Sequence, residues 1–544
     1  MTTAKTTCPF CLNGCTSGVS FDGYQYRMAY FTDAEVNKGC LCPRGNSASI
    51  VIDHPERLCR PILDGKDTTW SEAETLVRRW FAAAKPEELA LVYSRGRDLD
   101  DVKMMHGLAR ELGTRNLACG HIEPENSFGH RLQGVADASL KDVEAAKVML
   151  LVGDAFNTSP VASNRMIAAR YADRKSRLVV VDSIRTRESG FAHVFIQTRP
   201  GGEPFALIAL AVLIDPKVVS GVDVDRCADL AGVKVEPLKA AAAVLGLDLP
   251  GFVGSAMHTG RVFSPILHSL ASQLVAKAAE QPFVGFRESA LPAGLSSFAD
   301  LRQAVGDGKI KTLFWTGGLF PYSYAELMPE LDKVENRVAT AIFRPDPPVR
   351  GLVLPVVAEL ERSSAGSSYW GAVERKPLAA PLSGTREFAH VLGWLGRCDK
   401  AKPAPVKPVA AGDIPALVAK AAGVSLRTRM TLLGQKSAIG LRGFYDDESV
   451  AWLNPLEAAK LDVTDRNYVK VTSLSSAREF RVHVTDAVSP GVVSVGTNVH
   501  PNRALFPLGE DPVSGETTVP PAQVEVERSG RVYTQGGENP SVWL

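Results

Sequence analysis

The residues best suited to chemistry gather near the amino-terminal end. Cys8-Pro-Phe-Cys11-Leu-Asn-Gly-Cys15 is followed by Gly39-Cys40-Leu41-Cys42-Pro43-Arg44-Gly45. Three closely spaced thiolates fit three corners of a cubane, and a fourth arrives from a distant loop. Thiolates are soft ligands that suit iron–sulfur clusters or zinc. Zinc usually takes two CxxC-type knuckles, and only Cys8–Cys11 has that spacing. The pattern predicts one [4Fe–4S] cluster on Cys8, Cys11, Cys15 and either Cys40 or Cys42, with a zinc site or unliganded thiols as the alternatives. Gly14 and Gly39 would let the backbone approach such a cluster closely.

The rest of the chain has to carry and serve that module. With 544 residues it exceeds what one core supports, so several domains are expected. Five of the nine cysteines fall in the first 42 residues, while Cys59, Cys119, Cys227 and Cys398 are scattered. An odd, clustered set is not a disulfide framework. A formal net charge of +1 gives no basic field for nucleic acid. No apolar run reaches the ~20 residues of a membrane span. The opening MTTAKTTCPFC has no leader pattern. The expectation is a cytoplasmic chain with no direct membrane span.

Residues 1–58 read as a small β-rich module. Near Trp70 an α/β rhythm begins, with Ser71 and Glu74 as the capping box of a helix. LALVYS, VMLLVGD (148–154), RLVVVDS (177–183) and KTLFWTGG (311–318) are continuous apolar strands, as in a parallel sheet covered on both faces. Ligands of such sheets bind at the carboxyl ends of the strands. Residues 401–410 read as a Pro/Ala linker, and YVKVTSL, REFRVHVTD and GVVSVGTN as strands of a barrel or sandwich. The fold class is therefore multidomain α/β. The boundaries are a module at 1–58, an α/β domain at 59–120 plus 321–400, a nucleotide-binding α/β domain at 121–320, and a β-barrel at 425–540.

CxxCxxxC followed by Leu41-Cys42-Pro43-Arg44-Gly45 resembles the molybdenum/tungsten bis-pterin guanine dinucleotide (molybdopterin) oxidoreductases. These include formate dehydrogenases, nitrate reductases and formylmethanofuran dehydrogenases. The resemblance makes Cys42 the fourth cluster ligand and Arg44 the basic residue between cluster and pterin. It continues through Gly153-Asp154 with Asn157, through Asp182-Ser183-Ile184-Arg185, and through Gly317-Gly318. Asn454-Pro455 and Asn502 resemble the opening and closing segments of the pterin-binding barrel. It thus implies two cofactors, a [4Fe–4S] cluster and Mo or W bis(pterin guanine dinucleotide). Gly153, Asp154, Asn157, Asp182, Arg185, Gly317, Gly318, Asn454 and Asn502 are the implied pterin contacts. Gly-rich strand ends also expose N–H groups that suit phosphates, and Asp182 can accept from a guanine or ribose or cap a helix.

The metal-ligand segment departs from the formate dehydrogenase pattern. Asn116-Leu-Ala-Cys119-Gly-His121-Ile-Glu123 has no Cys-His pair, and the ligand position falls near Glu123. Glu123, Cys119 or no protein ligand at all are the open choices there. Glu123, His121 and Arg44 are the polar groups expected nearest the chemistry. The resemblance implies two-electron chemistry on a small-molecule substrate of formate or formyl type, with electrons leaving through the cluster to a partner subunit. The alternative is an electron-relay or scaffold subunit without a working metal centre.

Overall fold

The computed structural model describes residues 2–93, 99–120, 122–287, 298–317, 327–345, 348–397, 399–401, 407–423, 430–435, 450–497 and 500–532. It divides into two compact units, Met1–Ile122 with Glu288–Val406 and Glu123–Arg287 with Lys407–Leu544.

In the first unit the strands Thr2–Thr7 and Thr16–Phe21 pair antiparallel, with Thr7 opposite Thr16. Residues 8–15 are therefore one hairpin loop, and it carries three cysteines. The Cys8 N–H closes it on the Cys15 carbonyl at 2.8 Å. A second hairpin, Ser364–Ser368 with Gly371–Arg375, lies against this loop. The Tyr369 N–H donates to the Leu12 carbonyl (2.7 Å) and the Lys376 N–H to Thr6 Oγ1 (2.9 Å). Gly14 sits at φ +74°, and a Cβ there would come within 2.9 Å of Ser368 Cβ. Its need for glycine thus comes from the turn and the covering hairpin. A buried ion pair, Arg57 Nη2 to Glu361 Oε2 at 2.8 Å, joins the end of the module to the segment before that hairpin.

A seven-stranded sheet forms the body of this unit. Its order is Lys66–Asp67, Ile62–Leu63, Leu352–Pro355, Asn336–Ala341, Thr312–Thr316, Leu89–Tyr93, Leu117–Cys119. The last five are parallel, and the first two add an antiparallel edge. Thr312–Thr316 lies here between Leu89–Tyr93 and Asn336–Ala341, not in the domain at 121–320 that its position in the chain suggested. A buried apolar strand reads alike in any parallel sheet, so local pattern does not choose the sheet. The helix Trp70–Ala83 is capped by Thr69 with Glu72, not by Ser71 with Glu74. Glu72 there accepts from Thr68 Oγ1 and from Thr69, whereas Glu74 bonds Arg78 one turn on.

In the second unit five parallel strands run in the order Val194–Gln197, Arg177–Asp182, Val148–Val152, Gly251–Ala256, Phe283–Phe286. The helix Glu203–Ile214 is apolar nearly all round, and its first nine residues are buried. A helix hydrophobic on every face belongs in a core, and it packs with Pro265–Ala278 in the main cluster of the unit. Six strands between Met430 and Val532 close a barrel, the architecture expected for the carboxyl-terminal part. Ile184, in the turn after Asp182, is buried with Leu433, Val488 and Val492 of the barrel region. No helix among the described residues is long and apolar enough to cross a membrane.

Candidate functional site

Cys11, Cys15 and Cys42 lie near enough to Cys8 for their charges to act on it. Cys8 and Cys15 are buried, Cys11 and Cys42 half-buried, and Cys40 exposed. Cys42 immediately precedes the short helix Pro43–Asn46. Asn37, itself buried, sets its approach. Its amide donates to the Thr16 and Cys40 carbonyls (3.0 and 2.8 Å), and its Oδ1 accepts from the Thr16 N–H (2.9 Å). This residue docks the second cysteine loop on the hairpin and carried no recognisable signal in the sequence.

Burial first, and then the Cys15, Cys11 and Cys42 sulfurs, push the Cys8 thiol well above its ordinary range. Burial and Cys11 push Cys15 up likewise, opposed by a hydrogen bond from Asn13. Arg44 is 2 % exposed. Burial alone would weaken its hold on the proton, but Cys11 and Cys42, with Tyr369 and Cys8, outweigh it and raise its affinity. No group of three or more His, Cys, Asp or Glu among the described residues is placed to hold a metal ion. A cubane does not ask for that spacing, because each of its four thiolates binds a different iron.

In the second unit, Gly153 ends the strand Val148–Val152 at φ +71°, where a Cβ would fall 2.2 Å from the Ala256 carbonyl oxygen. Asp154 caps the turn that follows, accepting from the Asn157 N–H and from Asn157 Nδ2 at 2.9 Å. Asp182 ends the neighbouring strand. It is buried, 2.9 Å from Arg261 Nη2, and accepts from the Ile184 N–H. Glu188 and Glu203, also buried, complete a carboxylate cluster. Burial, against the pull of Arg261, lifts Asp182 to about 6. Burial and then Asp182 lift Glu203 to about 7. Burial and then Asp154 raise Glu188 well above its ordinary value. The site at these two strand ends therefore holds carboxyl groups that can donate or accept near neutral pH.

The other expected contacts are dispersed. Arg185 is exposed and lies over the Phe195 ring at 5.6 Å. Asn454 caps the helix Pro455–Lys460 and donates to the Val488 carbonyl (2.8 Å), so its side chain is spent on the fold. Asn502 is buried and donates to the Gly496 carbonyl (2.9 Å). Gly317 ends Thr312–Thr316 at φ +83° in the first unit. His121 and Gly318 lie outside the described residues.

Glu123 is tied on both oxygens. Thr259 Oγ1 donates to one and Arg503 Nη2 to the other, while Arg503 also reaches Thr259 Oγ1 at 2.7 Å. The Arg503 and Glu123 side chains are 2 % and 8 % exposed. Thr259 and Arg261 belong to the loop after the strand Gly251–Ala256, which also meets the barrel segments. Gly260 N–H donates to the Val519 carbonyl, and Gly434 N–H to the Gly260 carbonyl. Asp511 accepts from Ser264 Oγ (2.9 Å) and the Ile266 N–H at the start of the next helix. This His258-Thr259-Gly260-Arg261 loop was missed. Its only signal is a glycine after an apolar run.

These features define a multidomain α/β protein whose parallel-strand ends and closed barrel suit a nucleotide-bearing cofactor. Residues 425–518 match the family described as Molydopterin dinucleotide binding domain. NADPH-Fe(3+) oxidoreductase subunit alpha of Geobacter sulfurreducens is 26% identical over 274 residues, 46% of this chain and 32% of the relative. F420-dependent formate dehydrogenase subunit alpha of Methanocaldococcus jannaschii is 26% identical over 212 residues, 36% of this chain and 31% of the relative. Each match spans about a third of the relative's own length. Acetylene hydratase from Pelobacter acetylenicus shares the fold, with a TM-score of 0.71 over 96% of this chain and 100% of that one, at 13% identity. Residues 425–518 thus match a pterin-dinucleotide-binding domain, and the chain shares its fold with acetylene hydratase.

Proposed function

We propose that this chain is a redox subunit with two cofactors: a [4Fe–4S] cluster on Cys8, Cys11, Cys15 and Cys42, and a Mo- or W-bearing pterin dinucleotide. The convergence of four thiols beside a buried arginine carries this reading. A buried guanidinium beside these sulfurs favours their deprotonated, metal-binding form. The donor set is all sulfur, as iron–sulfur chemistry prefers.

When bound, the pterin-held metal supplies two-electron chemistry on a small molecule and the cluster carries electrons singly. The chain's own residues bind and orient. The strand ends at Gly153 and Asp182 offer carboxyl groups for a nucleotide. Arg261 balances Asp182, and Asp511 accepts from Ser264 and from the first turn of the helix Pro265–Ala278. Formate or a formyl compound is the substrate class we favour, on the likeness to the F420-dependent formate dehydrogenase subunit. The "subunit" names of the relatives support an electron-accepting partner polypeptide.

Glu123 is better suited to holding Arg503 than to ligating a metal, because both oxygens are already engaged. That observation keeps a second reading in view, a relay subunit with the cluster but no working Mo or W centre. Elemental analysis and pterin release from anaerobically purified protein separate the two. About one Mo or W per chain with released pterin supports the enzyme. Iron and sulfide without Mo, W or pterin support the relay.

A further inference from the structure

We infer that Asn13 is a positioning residue for the cluster, donating its side-chain amide to the Cys15 sulfur and raising the cluster's reduction potential. This rests on the cluster reading above and goes beyond it.

The amide is placed by the hairpin, not by chance. Leu12, before it, is held by the Tyr369 N–H. Gly14, after it, is in the left-handed region and pressed against Ser368. With both neighbours fixed, the Asn13 side chain turns inward and is 1 % exposed. Its Nδ2 stands 3.0 Å from Cys15 Sγ. Its Oδ1 has no hydrogen-bond partner among the described residues. Leaving a buried carbonyl oxygen unsatisfied costs stability. An apolar side chain of similar size would escape that cost, and a neutral thiol is too weak an acceptor to offset it. A metal-bound thiolate is a stronger one, because charge-assisted hydrogen bonds are about twice as strong as neutral ones. The orientation of the amide therefore matches an anionic, liganded sulfur.

The electrostatic consequence has one sign. Reduction adds one electron to the cluster, and the added charge spreads onto its thiolates. A donor on one thiolate stabilises the reduced form more than the oxidised form, so the potential rises.

The test uses full-length protein, purified anaerobically as wild type and as Asn13→Leu, with iron and sulfide counted before an EPR-monitored redox titration. Both should hold about four iron and four sulfide per chain. At a fixed poise the reduced-to-oxidised ratio of the variant should fall about tenfold, equivalent to 59 mV for one electron. An unchanged midpoint at full iron content overturns the inference and leaves the cluster reading intact. Iron-free wild-type protein overturns the cluster reading itself. Should the variant fail to load, wild type labelled with ¹⁵N in its asparagine amides decides the matter. The reduced cluster should show a ¹⁵N coupling, and its absence overturns the inference.

Discussion

The cysteine hairpin and the strand-end cluster of the second unit both concentrate acidic groups where water is excluded, and they resolve that problem differently. Around the hairpin, burial raises Cys8 and Cys15 well above their ordinary range, so these sulfurs keep their protons unless a metal takes their place. At the strand ends, Asp182 and Glu203 rise to about 6 and about 7 and can stay neutral by keeping their protons. The first place offers an all-sulfur donor set, and the second offers carboxyl groups that exchange protons near neutral pH. Burial sets the demand in both; side-chain chemistry decides what can answer it.

The largest effect should come from removing one sulfur. Cys11→Ser should abolish the visible absorbance of a thiolate-bound cubane and lower the iron count, while a spectrum equal to wild type would break the contrast at its stronger end. Next is the ion pair at Glu123. Arg503→Leu strands a buried carboxylate and should cost about 3–5 kcal/mol in urea denaturation. Adding Glu123→Leu should recover most of that loss. A single-variant cost below about 1 kcal/mol would mean that the pair is not a buried charge contact.

A smaller effect should come from the protonated carboxyls. Glu203 binds its proton more tightly folded, at about 7, than its ordinary 4.5. Between those values the folded state holds more protons than the unfolded, so the contribution of Glu203 is fully present below 4.5 and is lost as pH rises through 7. Glu203→Gln should therefore melt higher than wild type at pH 8, by about 2–4 °C for each kcal/mol relieved, with the difference vanishing near pH 4.5. A constant offset at both pH values would contradict this. The smallest effect, and a control without buried charge, is Asn454→Ala. Loss of this cap should cost about 1 kcal/mol at every pH, and a pH-dependent loss would refute a purely structural role.

Much of this was legible because it is local. Residues 1–58 read as a small β-rich module, and the apolar runs at 148–154 and 177–183 read as parallel strands. What was hidden is non-local. The covering hairpin at 364–375 reaches Leu12 across most of the unit's sequence, and Arg503 reaches Glu123 across 380 residues. No periodicity records such pairings. Asn454 shows a subtler limit. Its place in the order of segments was visible, but its amide turned out to be consumed by a helix start and the Val488 carbonyl. Thr69 with Glu72 and Ser71 with Glu74 fit one motif equally well, and the structure closes the first, with an added bond from Thr68.

The most direct test of the whole account is a Mössbauer measurement on ⁵⁷Fe-loaded full-length protein, with Cys40→Ser and Cys42→Ser alongside. Wild type and Cys40→Ser should each show a single [4Fe–4S] centre, and Cys42→Ser should lose it. A wild-type sample without that centre, or a centre that survives Cys42→Ser but not Cys40→Ser, would contradict the assignment.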